Sequence, residues 1–158
     1  MIVESGYDLF LLLSAQPGTE LAMVTLDADL RPIHRSIVER DYDGVLDEGI
    51  LARVDALVEK EDGACFAVLG HRVSDATGFL QHLDWDAEKA LLDILRCRSI
   101  DLLGYMGYDS ERWATTGPVY RFTDYPLADH VPRTLVVRGP HPFLECRCIA
   151  CQNRGGCT

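Results

Sequence analysis

A chain of 158 residues, 47% hydrophobic and 25% charged, has the composition of one ordinary globular domain, long enough to bury a core. No apolar run reaches the ~18–20 residues of a membrane span, and Phe10-Leu11-Leu12-Leu13, preceded by Glu4 and Asp8, is too short and too acidic for a signal peptide. The net charge is −10, and residues 131–158 hold Arg133, Arg138, Arg147 and Arg154 against Glu145, which leaves −13 on the first 130 residues. Such a body repels phosphate backbones, which argues against direct nucleic-acid binding, and a cytoplasmic location is expected.

Ser5-Gly-Tyr-Asp8 opens a short helix to about Ser14, ended by Gln16-Pro17-Gly18. Glu20 to Leu26 and Ile33 to Val38 read as strands joined by the turn Asp27-Ala-Asp-Leu-Arg-Pro32, a hairpin. Asp41-Tyr-Asp-Gly44 is a loop. A helix follows from Asp47 to Lys60, with Ile50, Leu51, Val54, Leu57 and Val58 on one stripe. Ala64 to Gly70 is a short apolar run of the kind found in buried strands, and residues 71–83 form a loop. The next helix spans Asp86 to Arg98, with Leu91, Leu92, Ile94 and Leu95 inward and Asp84 or Asp86 as its cap. Ser99 to Tyr105 reads as a strand, and Val119 to Phe122 and Thr134 to Val137 are weaker strand candidates. The order predicts an α/β fold: a mixed sheet with flanking helices.

Gly104-Tyr-Met-Gly-Tyr108 lacks the spacing and the Lys-Ser/Thr of a phosphate loop. Trp85, Trp113, Tyr105, Tyr108, Tyr120 and Tyr125 crowd the second half, as core residues or as the lining of a groove. Cys65 and Cys97 sit in apolar segments and read as small core residues.

His71-Arg72-Val73 and Gln81-His82-Leu83-Asp84 stand where a strand gives way to a helix. This stretch resembles the RadC-like branch of the JAB/MPN (JAMM) metalloprotease family, which carries His-x-His, seven residues, Ser-x-x-Asp at that junction. His71 falls on the first His and Asp84 on the Asp, whereas Val73 replaces the second His and Gln81 the Ser. The hairpin around Leu26-Asp27, the helix Ile50 to Val58, and the helix Ala87 to Cys97 followed by Ile100-Asp-Leu-Leu match the family's order over residues 7–110. The resemblance implies a JAB/MPN-like domain with cytidine-deaminase-like layering over residues 1–130; the last fifty residues have no counterpart in the family, and 131–158 read as a Cys-rich C-terminal extension.

In that family two His and one Asp hold zinc, and the fourth position takes water. Zinc acidifies the water, a Glu takes its proton, and the Ser stabilises the oxyanion. The Glu counterpart by order is Glu20; strict alignment on Leu26-Asp27 places it nearer Thr19, and one residue of shift turns the side chain to the other face of the strand. Valine cannot ligate zinc. Glu20, His71 and Asp84 are therefore expected as a relic or weak site of a pseudoenzyme that serves as a binding or assembly module with a protein partner. The alternative is a zinc-dependent hydrolase of peptide or isopeptide bonds, with His82 as a rebuilt third ligand. The plainer reading of His82 is a solvent-facing loop residue, and that of Asp84 a helix cap. A nucleic-acid-linked role is a third, weaker reading that the family name suggests.

Cys146, Cys148, Cys151 and Cys157 crowd the last thirteen residues. Four thiolates satisfy a tetrahedral zinc, and Cys148-x-x-Cys151 has a common ligand spacing. An iron–sulfur cluster is equally served by four cysteines, and His141 can replace one of them. The plain alternative is a tail of unliganded thiols. Arg147 and Arg154 would lower the thiol pKa values in either case.

Overall fold

The computed structural model describes residues 2–3, 6–16, 18–110, 112–116, 135–138 and 145–146. Along the chain these form α1 (Gly6–Leu13), β1 (Leu21–Leu26), β2 (Pro32–Glu39), α2 (Glu48–Glu59), β3 (Phe66–Arg72), a 3-10 turn (Ala76–Gly78), α3 (Trp85–Cys97), β4 (Asp101–Tyr108), β5 (Arg112–Thr115), β6 (Leu135–Arg138) and β7 (Glu145–Cys146). The strands make one sheet in the order β2-β1-β3-β4-β5-β6-β7. β1 lies antiparallel to both β2 and β3, β3 lies parallel to β4, and the remaining pairs are antiparallel. The fold is thus α/β with a mixed sheet.

Local chemistry sets these elements. Asp27 accepts the backbone N–H groups of Asp29 and Arg31, which closes the turn between β1 and β2, and Leu30 takes a left-handed φ of 61° there. Asp47 caps α2 by accepting from Ile50 N. A parallel pair needs a crossover, and α3 supplies it between β3 and β4.

The centre of the sheet, β1, β3 and β4, is buried on both faces. Every residue of β1 is buried, so it reads as a continuous apolar run. Ala22, Val24 and Leu26 face α1 together with Leu9, Leu13, Val68, Leu103 and Met106. Leu21 and Met23 face the other way, toward α2 and α3, with Val54, Ala67, Leu69, Leu91, Leu95 and Tyr105. Leu13 packs against the sheet at Gly70, where a Cβ would stand 2.8 Å from its Cδ1 and 3.1 Å from Met106 O. The C-terminal carbonyls of α1 are met by Arg35, which donates to Leu12 O (3.1 Å) and Leu13 O (2.8 Å), placing a cation at the negative end of the helix.

Several boundaries differ from the sequence expectation. β3 runs on through His71 and Arg72, so His71 belongs to the strand rather than to the loop after it; Gly107 and Tyr108 on β4 pair with it there. β4 likewise extends past its two glycines to Tyr108. A Cβ on Gly107 would run into the Phe79 ring, so this glycine is where the loop chain packs down on the strand. β5 was not expected from the sequence. Cys97 is exposed rather than in the core, because the inward stripe of α3 runs through Leu91 and Leu95 and leaves position 97 on the far side. The candidate strand at Thr134 to Val137 appears as β6, and β6 and β7 continue the same sheet beyond residue 130. The candidate Val119 to Phe122 lies outside the described residues. Among the described residues, no helix is long and apolar enough to cross a membrane.

Candidate functional site

The parallel strands β3 and β4 end side by side, and beyond the end of β3 a cleft of about 730 Å³ opens between the loop before α2, the 3-10 turn and the start of α3. The carboxyl ends of parallel strands are where open α/β sheets bind ligands, and the volume falls in the usual range for small-molecule pockets.

His71 forms the inner wall and is 6% exposed. Three rings box it in: Tyr42 edge-on at 4.7 Å and 89°, Phe79 at 5.7 Å, and Tyr105 at 5.7 Å. His71 Nδ1 lies 3.2 Å from Arg72 O. A carbonyl oxygen only accepts, so Nδ1 carries the proton. Burial pulls the imidazole pKa down to about 4, against a smaller upward push from that backbone hydrogen bond. The ring is therefore neutral at pH 7.

Tyr42 and Tyr105 share a buried hydrogen bond of 2.8 Å between their hydroxyls. Burial raises both phenols, Tyr42 to about 12 and Tyr105 further, so neither is a proton donor of use near neutrality. Tyr42 is held in place because its N–H donates to Thr19 O.

The outer wall is braced from β5. Arg112 pairs with Asp75 (3.3 Å) and Asp109 (3.5 Å), and Asp109 accepts the N–H of Ala76. The hydroxyl and N–H of Thr77 hold the Asp75 carboxyl below the usual range, with Arg112 assisting. These contacts pin the 3-10 turn to the β4–β5 hairpin.

His71, His82 and Asp84 all line the cleft, as does Val73. His82 is solvent-exposed. Asp84 Oδ1 caps α3, accepting from Asp86 N (3.0 Å) and Ala87 N (3.1 Å). Gln81 is exposed and lies outside the cleft lining. Glu20 is elsewhere: its carboxylate sits 3.6 Å from Arg35, whose guanidinium caps α1. That is the α1 face of the sheet, whereas His71 shares its face with Leu69 and Tyr105 on the α2–α3 side. The structure thus brings His71 and Asp84 to one cleft and separates Glu20 from both.

These residues do not fit a catalytic zinc. Three side-chain donors around one open position are needed, and among the described residues no group of three or more His, Cys, Asp or Glu is placed to hold a metal ion. Val73 has no lone pair to offer, and Asp84 already holds the helix terminus. Of the tail cysteines, Cys146 falls on β7, while Cys148, Cys151 and Cys157, with His141, lie outside the described residues.

The aromatic box is what sequence reasoning missed. Tyr105 belongs to the aromatic-rich second half, but Tyr42 lies in a loop and Phe79 carries no pattern. A second group, Ser36, His34 and Glu61, has the composition of a nucleophile relay. Both partners, however, approach the same nitrogen, His34 Nδ1, at 3.2 and 3.0 Å, and a relay needs one partner on each nitrogen. Comparison with known protein families finds no family model that matches the chain, and comparison with curated proteins finds no match.

Proposed function

We propose that this chain is a non-catalytic protein of JAB/MPN-like architecture, a binding or assembly module whose Cys-rich tail holds a structural metal. Support for the architecture comes from the hairpin, helix, strand, helix, strand order, and from His71 and Asp84 meeting at one cleft. The observation that carries the non-catalytic reading is what stands at the family's three metal positions: one buried neutral histidine, one aspartate engaged as a cap, and a valine. The zinc-hydrolase reading retains one favourable fact, that His82 lines the same cleft. It lacks its base, because Glu20 is across the sheet.

Metal content separates the two. Protein purified without oxygen or chelator is analysed for zinc and iron as wild type, as His71→Ala and as Cys148→Ser/Cys151→Ser. The binding-module reading expects metal that survives His71→Ala and is lost with the cysteines. Zinc lost with His71 would make the hydrolase reading the leading one. Iron with acid-labile sulfide would make the tail an iron–sulfur site.

A further inference from the structure

The cleft has a chemical polarity of its own. Because Arg72 O fixes the proton on His71 Nδ1, the other nitrogen, Nε2, presents a lone pair. The bond to Arg72 is the ring's hydrogen bond within the protein, and Nε2 has none among the described residues. A ring 94% buried yet lining a cleft turns its remaining surface to that cleft. Among the described residues Nε2 is not one of the buried atoms that lack a partner, so it is open to the cleft; an occupant that displaces water there strands this acceptor, at a cost of roughly 1–3 kcal/mol, unless it brings an N–H or O–H.

The surroundings narrow that occupant further. The inner wall is aromatic, from Tyr42 and Phe79, and aromatic walls suit an apolar body and a cationic head. Around the mouth stand Asp43, Asp75 and Asp84 against Arg72. Arg112 offsets Asp75 in part. An anion would meet this rim unfavourably and would find only an acceptor at the inner wall.

We propose that the cleft binds a small organic cation, a protonated amine or amidine on an apolar body, whose N–H donates to His71 Nε2 and whose charge is met by Asp43, Asp75 and Asp84. The inference rests on the part of the preceding reading that leaves the cleft without a metal. It adds a ligand class for that cleft and is independent of what the tail holds.

The test is calorimetric titration of the full chain with benzylamine and benzamidine, against benzyl alcohol and benzoate as neutral and anionic matches in shape. The expected result is that the two cations bind at least roughly tenfold more tightly than the alcohol or the acid. His71→Phe fills the same space without the acceptor and should weaken the cations by roughly tenfold or more. Asp43→Asn keeps the acceptor for Val45 N and removes charge, and should weaken the cations alone. Should His71→Phe fail to fold, nitrogen NMR of the wild-type ring serves: benzylamine must shift Nε2 and leave the tautomer unchanged. Benzoate binding as tightly as the amines, cation binding indifferent to both substitutions, or no cation binding at all would overturn the proposal. Zinc content measured alongside separates the two failures: zinc bound through His71 sinks the metal-free reading itself, whereas a metal-free cleft that ignores amines sinks only this inference.

Discussion

His71 should make the protein acid-sensitive in a defined window. Its ring is neutral in the folded state with a pKa of about 4, against 6.5 for an unstrained histidine. The unfolded chain therefore binds more protons than the folded one between those values, and stability rises with pH across that interval. The His71 contribution is fully present above pH ~6.5 and is lost as pH falls toward ~4. Between about pH 7 and about pH 4.5 the loss from this one group works out at roughly 2 kcal/mol. Carboxylates titrate in the same range, so the comparison is with His71→Phe, which retains them all. Urea unfolding of both proteins at the two pH values gives four free energies. Wild type is expected to lose about 2 kcal/mol more than the variant. Equal losses would mean that His71 charges in place, and that its aromatic box is open to water.

Gly107→Ala would drive a methyl group into the Phe79 ring, so a loss of roughly 1–3 kcal/mol by urea unfolding is expected, with Phe79→Ala in the same chain relieving part of it. Asp84→Ala removes the cap of α3 and should cost about 1 kcal/mol by the same assay, while Asp84→Asn, which still accepts the two N–H groups, should cost a few tenths. Arg35→Met leaves the last carbonyls of α1 without their cation and should cost about 1–2 kcal/mol; unchanged amide exchange in α1 would refute that role.

What could be read from the sequence follows from where the physics is local. Ile50, Val54 and Val58 recur at helical spacing behind Asp47, and the helix they announce is there. The turn chemistry of Asp27 gave the hairpin for the same reason. The end of β3 was hidden because Gly70-His71-Arg72 breaks the apolar run, and only the partner strand β4 keeps it extended. β5 is four residues with no alternation, held by its neighbours. His71 and Asp84 were legible as a pair, but the meaning of Glu20 hung on register. It sits one residue before Leu21, which faces the His71 side, so Glu20 itself faces α1. Thr19, which strict alignment favours, has the parity of the His71 face but no carboxylate. The box of Tyr42, Phe79 and Tyr105 is made by segments distant in sequence, and no local pattern encodes it.

The strand order also sets an expected sequence of events in folding. The β1–β2 hairpin closes over a short turn and can form on the microsecond scale. The β1–β3 seam joins Ala22 to Gly70, and the β3–β4 seam must wait for a whole crossover helix, so both carry a larger loop-closure cost. The walls of the cleft, Tyr42 to Leu46 and His71 to Asp84, come from either side of the β1–β3 seam. Refolding followed by pulsed hydrogen exchange should therefore show the amides of the β1–β3 and β3–β4 seams protected after those of the β1–β2 hairpin. A chain that has regained the hairpin but not these seams has not yet assembled the cleft.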